Sequence, residues 1–323
     1  MSMSGNIETI EVLVKSITYE AEDVVSLDLR PRGAPTLPAF TAGAHIELHL
    51  RNGLPRSYSL ANPQHERYRY CVAVQMDPAS RGGSRFIHET VRAGDILRIG
   101  PPRNNFALVE AAERSVLIAG GIGITPIWCM LRRLAALGRP WELFYAARSR
   151  PRAAFLDEIL ALDPDTRRVH PHFDDESGGA FLDLEAIVRS ASPTTHFYCC
   201  GPLPMLAAFE KATAALPAET VHVEYFTAKR PVEAAGGFDV VLSRSGRTVF
   251  VPEHTTILDA LLAAGIAAGH SCLEGVCGTC ETTVLEGIPD HRDVVLSARE
   301  RAGNRTMMIC CSGSKTGRLV LDL

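Results

Sequence analysis

The sequence predicts a multidomain protein: a small antiparallel β-barrel, a parallel-sheet α/β domain, and a compact α+β module of β-grasp-like outline. Three observations predict it. Short alternating runs broken by turn residues extend from about Ile7 to Phe106. Strand–loop–helix alternation follows, from about Ser115 to Lys229. Five of the nine cysteines then crowd between Cys272 and Cys311. The expected boundaries are 1–110, 111–229, a linker at 230–237, and 238–323.

In the first segment the runs Glu11–Ile17, Val24–Leu29, His45–Leu50, Tyr70–Val74 and Asp95–Ile99 have the length and spacing of barrel strands. Pro101–Pro102 ends the last of them. In the second, strands at Val116–Ala119, Trp141–Ala146, Arg168–Phe173, His196–Cys200 and Val221–Tyr225 alternate with helices at Ile127–Leu137, Ala153–Leu162, Asp183–Arg189 and Pro204–Leu216. That is the pattern of a doubly wound parallel sheet. Gly and Ala at 234–237 suit a linker. In the third, Asp239–Leu242 and Thr248–Val251 read as a hairpin and Ile257–Ala264 as a helix. Further strands are expected at Thr306–Cys310 and Leu319–Leu323.

Composition narrows the function classes. A chain that is 46% hydrophobic and 22% charged is globular, and a net charge of −4 argues against nucleic acid and anionic membrane surfaces. No apolar stretch reaches membrane-spanning length, and Met1–Glu11 has no basic or apolar leader pattern. An odd, clustered set of cysteines suits a metal site in a reducing cytoplasm better than a disulfide framework.

The strongest motif is Cys272-Leu-Glu-Gly-Val-Cys277-Gly-Thr-Cys280, with Cys310 beyond it. C-x4-C-x2-C plus a distant fourth cysteine is the plant-type 2Fe–2S spacing. Two irons need two thiolates each; a tight loop converges three, and a separate segment supplies the fourth. Gly275 and Gly278 allow the positive φ that turns backbone N–H groups toward sulfur. A zinc site would favour paired C-x2-C knuckles, and only one such pair exists. On a strand, Cys310 and Cys311 would point to opposite faces, so one of the two is expected to be a ligand.

Two weaker signatures precede it. In Arg56-Ser57-Tyr58-Ser59, Arg56 and Tyr58 share a strand face; such a pair can serve a flavin phosphate and ring, or be a surface ion pair beside a packed aromatic. Arg81-Gly82-Gly83-Ser84 opens a short helix, where N–H groups and the Ser84 hydroxyl can hold an anion. Gly120-Gly121-Ile122-Gly123-Ile124-Thr125-Pro126 joins a strand to a helix, as does Cys200-Gly201-Pro202-Leu203-Pro204-Met205. Two such loops on one sheet edge suit a dinucleotide pyrophosphate. Arg148 and Arg150, after the second strand, fit either a ribose 2′-phosphate or a solvated charge cluster.

Together these residues resemble the ferredoxin–NADP reductase superfamily. The module order with the cysteine motif resembles the phthalate dioxygenase reductase family, which includes the vanillate demethylase reductases. Asp290–Ser297 and Met307-Met-Ile-Cys310 add to the likeness, which covers nearly the whole chain. It implies FMN in the barrel, NADH on the α/β domain, and Cys310 as fourth ligand. It also implies Thr125 and Phe226, with Ser59, at the reacting flavin edge. Cys311 departs from the family pattern, where an apolar residue is expected.

The expected function is a reductase component carrying electrons from NADH through FMN and the 2Fe–2S centre to a separate Rieske-type oxygenase. A monomer and a transient partner complex are expected. The alternatives are a reductase for a P450, a diiron hydroxylase or a quinone, and a redox sensor. His88, His270 and His291 are expected to be structural or exposed.

Overall fold

The computed structural model describes residues 9–78, 80, 82–227 and 237–323. Arg81 and most of the expected linker lie outside the described residues. The chain divides into two units, one spanning Thr9–Glu224 and one built on Tyr225–Leu323.

The first unit begins with β1 (Ile10–Ala21), β2 (Val24–Pro31), β3 (His45–His49), β4 (Pro55–Ser59), β5 (Tyr70–Gln75), helix α1 (Gly83–Thr90) and β6 (Ile96–Ile99). The strands form one antiparallel sheet in the order β4-β3-β6-β1-β2-β5. Val12, Val14, Ile46, Leu48, Leu97 and Ile99 are buried at period-2 spacing, as a barrel interior requires. A bridge between Leu60 and Val72 joins the end of β4 to β5 and closes the barrel.

There follow β7 (Arg114–Gly120), α2 (Ile124–Leu137), β8 (Trp141–Ala147), α3 (Leu156–Ala161), β9 (Val169–Phe173), α4 (Leu184–Arg189), β10 (Thr195–Cys200), α5 (Leu203–Thr213) and β11 (Val221–Glu224). All five strands are parallel, in the order β11-β10-β7-β8-β9. Ser115–Gly120 is a continuous buried run, the signature of a strand covered on both faces. The chain winds outward through β8 and β9, then returns to lay β10 beside β7. That reversal puts the loops after β7 and β10 side by side at the carboxyl edge, where open α/β sheets bind ligands.

Barrel and parallel sheet share one apolar cluster, from Val12 and Leu48 to Met130, Leu143 and Tyr198. Their seam is polar as well as apolar. The Val109 N–H donates to the Tyr198 hydroxyl (2.9 Å), and Arg133 pairs with Glu110 at 2.7 Å. Gly43 sits in the seam at φ +94°, where a β-carbon would collide with the Phe106 carbonyl and stand 2.9 Å from the Met130 methyl.

The second unit contains β12 (Phe238–Leu242), β13 (Thr248–Val251), α6 (Ile257–Ala263), β14 (Glu281–Glu286), β15 (Pro289–Asp290), α7 (Ala298–Gly303), β16 (Thr306–Met308), β17 (Gly313–Ser314) and β18 (Arg318–Leu321). Its main sheet runs β13-β12-β18-β14-β16, with β12 and β18 parallel in an otherwise antiparallel arrangement. Helix α6, capped by the Thr256 hydroxyl, buries Ile257, Leu258 and Leu261 in the core of this unit. Strand β14 and helix α7 go beyond the sequence reading. The latter opens on a Ser297/Glu300 capping box. The strand expected through Cys310 stops at Met308. Ile309–Cys311 form a turn instead, with the Cys311 and Ser312 N–H groups both donating to the Met308 carbonyl. Among the described residues no helix is long and apolar enough to cross a membrane.

The seam makes Gly43 costly to replace. Gly43→Ala should destabilise the Thr9–Glu224 unit by about 2 kcal/mol or more, through overpacking and a left-handed backbone closed to side chains. Denaturant unfolding checks it; an unchanged midpoint would mean that the seam is slack.

Candidate redox site

Strand β4 presents the first group of expected residues. Arg56 and Tyr58 are half-buried, and Arg56 donates to the Pro55 carbonyl (2.8 Å). Burial pushes the Tyr58 phenol up to about 12, against the lowering effect of Arg56. The Arg56 side chain runs beside the start of α1, so closely that a β-carbon on Gly83 would lie 2.7 Å from its Nε. Gly82, the N-cap of α1, has φ +90° and no side chain to fill the space before the helix. A guanidinium beside a glycine-only helix start is a donor set suited to a phosphate. Ser84 has other work: its hydroxyl donates to Ser80 Oγ and accepts from the Asp77 N–H. Ser57, opposite Glu47 on β3, alternates away from Tyr58, while Ser59 is buried.

The two glycine-rich loops meet as the topology requires. A β-carbon on Gly120 would stand 2.6 Å from Pro202 Cδ and 2.8 Å from Met205 Sδ; one on Gly123 would collide with the Cys200 carbonyl; one on Gly201 would lie 3.2 Å from the backbone of Gly120. Gly121, at φ +53°, faces open space. The cradle therefore has a side closed by packing and a side open to a ligand. Thr125 is buried at the start of α2, its hydroxyl donating to the Ile122 carbonyl (3.0 Å), and Pro126 is buried next to it. Arg148 is exposed just past β8. The Asp174 and Asp175 N–H groups donate to the Ala147 and Arg148 carbonyls, which brings an acidic loop to the same edge. Phe226 lies two residues past β11 and is exposed.

In the second unit the thiols pair. Cys272 stands within hydrogen-bonding reach of Cys277 and of Cys310, and Cys280 of Cys310. The neighbouring Cys277 and Cys310 thiols pull Cys272 well below the ordinary thiol range, helped by N–H donation from Glu274 (3.3 Å) and Val276 (3.5 Å). Left-handed Leu273, Gly275 and Gly278 aim this loop's amides inward. Cys277, Cys280 and Cys310 are buried, while Cys272 is half-exposed. Among the described residues no three His, Cys, Asp or Glu side chains are arranged to hold a metal ion in common. Two thiol pairs, by contrast, match a two-iron cluster. The remaining histidines of interest are tied to structure: His88 and His270 bond the Val74 and Ala268 carbonyls, and His291 is buried near Asp293.

One group escaped the sequence reading. Glu224, the last residue of β11, lies opposite Cys200 in register and is hydrogen-bonded to Ser59. Its Oε2 is sealed from solvent with no partner. Burial pushes the carboxyl up from 4.5 to about 8, against the Ser59 hydrogen bond, so it is protonated at neutral pH. Burial likewise pushes the Cys200 thiol well up, leaving a neutral pair. The signal was an acid at the carboxyl end of a parallel strand, in Val-Glu-Tyr-Phe. Between pH 4.5 and about 8 the native state keeps a proton that the unfolded chain has released. Stability is therefore fully present below 4.5 and falls as pH rises, at up to about 1.4 kcal/mol per pH unit. Glu224→Gln should flatten that slope in denaturation measured across this range. An unchanged slope would mean that Glu224 is ionised throughout.

Comparison with known proteins agrees with the architecture. Residues 240–314 match the 2Fe-2S iron-sulfur cluster binding domain family, and residues 117–211 the oxidoreductase NAD-binding domain family. The chain is 54% identical over 323 residues, covering all of both proteins, to phenoxybenzoate dioxygenase subunit beta of Ectopseudomonas oleovorans. It is 53% identical to tetrachlorobenzoquinone reductase of Sphingobium chlorophenolicum, over 99% of this chain and all of that one. The crystal structure of phthalate dioxygenase reductase matches with a TM-score of 0.73 at 36% identity, over 98% of each chain. By fold, module order and full-length similarity, the chain belongs to the phthalate dioxygenase reductase family of iron–sulfur oxidoreductases.

Proposed function

We propose that the chain is the NADH-oxidising reductase component of an oxygenase system, with FMN as its flavin and Cys272, Cys277, Cys280 and Cys310 as cluster ligands. The observation that carries the reading is the pairing of those thiols beneath inward amides, on a chain that also holds a two-loop dinucleotide edge. The full-length likeness to a dioxygenase subunit supports a separate oxygenase as acceptor. A brief encounter between monomers suits an electron-transfer partner.

When bound, the flavin and cluster together convert a two-electron hydride into single electrons. The protein's part is placement. Gly120, Gly121, Gly123, Gly201 and Pro202 let backbone approach the pyrophosphate, with Met205 packed beneath. Arg56 and the Gly82–Gly83 helix start receive the flavin phosphate, and Tyr58 flanks the ring. Ser59 and Thr125 serve the reacting edge. Glu224 holds a proton on its carboxyl beside Ser59 Oγ, and that buried neutral pair offers hydrogen bonds without a charge. NADH is favoured over NADPH because Asp174, Asp175 and Glu176 bring negative charge to the ribose edge. Arg150 is also already engaged, paired with Glu176 (3.3 Å) and stacked over Phe173. Arg148 remains for the ribose hydroxyls.

The likeness to tetrachlorobenzoquinone reductase supports a second reading, in which the flavin serves a quinone directly. One experiment tests both. Anaerobic visible spectra before and after stoichiometric NADH, with flavin extraction, should give FMN and an iron–sulfur envelope that bleaches. Flavin without iron and sulfide would sink the cluster assignment. Cys277→Ser should lower cytochrome c reduction by more than about 100-fold, beyond the effect of an outer-shell change, while leaving NADH-to-flavin reduction intact. Full cytochrome reduction by that variant would overturn the electron path. Quinone reduction that survives in it would favour the second reading.

A further inference from the structure

Five thiols, not four, converge on the cysteine loop. We propose that Cys310 and Cys311 are interchangeable: either thiol alone can complete the two-iron centre with Cys272, Cys277 and Cys280. The inference rests on the iron–sulfur reading above.

The backbone makes it feasible. Had β16 run through both residues, they would point to opposite faces. They lie instead in the turn that follows Met308, whose carbonyl accepts from both Cys311 N–H (3.3 Å) and Ser312 N–H (3.0 Å). A turn this tight is not bound by strand alternation, and it brings the two neighbouring thiols within reach of each other. The Cys310 thiol stands within reach of Cys272, Cys280 and also Cys311. Cys311 is as deeply buried as Cys310, each being 3% exposed. Its sulfur seats against Gly275, between the ligands Cys272 and Cys277, where a β-carbon would collide with it. That glycine keeps open the space that the fifth sulfur occupies. The contacts of Cys311 to the Met308 carbonyl (3.7 Å) and to Ser312 Oγ (3.8 Å) are soft ones to give up.

The chemistry balances without a co-reactant. If Cys310 is absent when the cluster assembles, the Cys311 thiol releases its proton to water as the iron–sulfur bond forms, the same exchange that Cys310 undergoes. Cluster charge and iron count are unchanged. Only the direction of one bond differs, so the magnetic signature of the reduced centre should move.

The test uses the full chain, with flavin content as the internal check that each variant is folded. Cys310→Ala and Cys311→Ala should each keep about two irons and two sulfides per flavin. Their reduced electron paramagnetic resonance spectra should differ in g-values. The double variant should hold flavin but no cluster. If either single variant is as poor in iron and sulfide as the double one, the proposal falls. Retention in the double variant overturns it equally, since neither thiol would then be needed. A parent protein without iron and sulfide would remove the iron–sulfur reading itself, and this inference with it.

Discussion

At the switch point of the parallel sheet, backbone meets backbone. The turn after β7 and the turn after β10 approach so closely that Gly120, Gly123 and Gly201 have no room for a methyl group. Everything proposed for the nicotinamide side depends on that contact. It fixes the two helix starts relative to each other, and it leaves Gly121 facing open space. The loops are not flexible straps around a ligand but a prebuilt edge, one wall of which is Met205 and Pro202. A glycine in such a place is selected by a neighbour's position rather than by its own φ; of the three, none has a positive φ.

A second regularity is the way charge is handled near that edge. Cys200 and Glu224 face each other across β10 and β11, and burial keeps both protonated. Two neutral groups can lie side by side in a low-dielectric site where two anions could not. The outer rim is treated oppositely, with half-buried Asp174 and exposed Asp175 and Glu176 beside Arg148 and Arg150. The interior thus offers protons and hydrogen bonds, and the rim offers charge selection.

Much of this was legible because it is local. Strand alternation, Gly-rich strand–helix junctions and the C-x4-C-x2-C spacing each lie within one short continuous stretch of chain. They located the barrel, the parallel sheet and the thiols. What was not legible depends on distant partners. Glu224 acquires its elevated pKa from burial, which is not visible in Val-Glu-Tyr-Phe. Ser84 looked like a phosphate hydroxyl until Ser80 and Asp77 were seen to use it. Helix α7 has no apolar stripe, and only its Ser297/Glu300 capping pair could have announced it. The two adjacent cysteines were judged by strand alternation, but the strand ends two residues before Cys310.

The strand order has a consequence in time. β7 must wait for β10, its neighbour in the sheet, until β8, β9 and α4 have been synthesised; Arg114 finds Thr195 only then. During translation the nascent sheet therefore carries a bare, strongly apolar flank along β7, open to pairing with other chains. The strand that covers this flank, β10, leaves the ribosome late, with only α5 and β11 of the first unit still to follow. Premature termination between β7 and β10 would thus yield a sticky fragment rather than a smaller working domain.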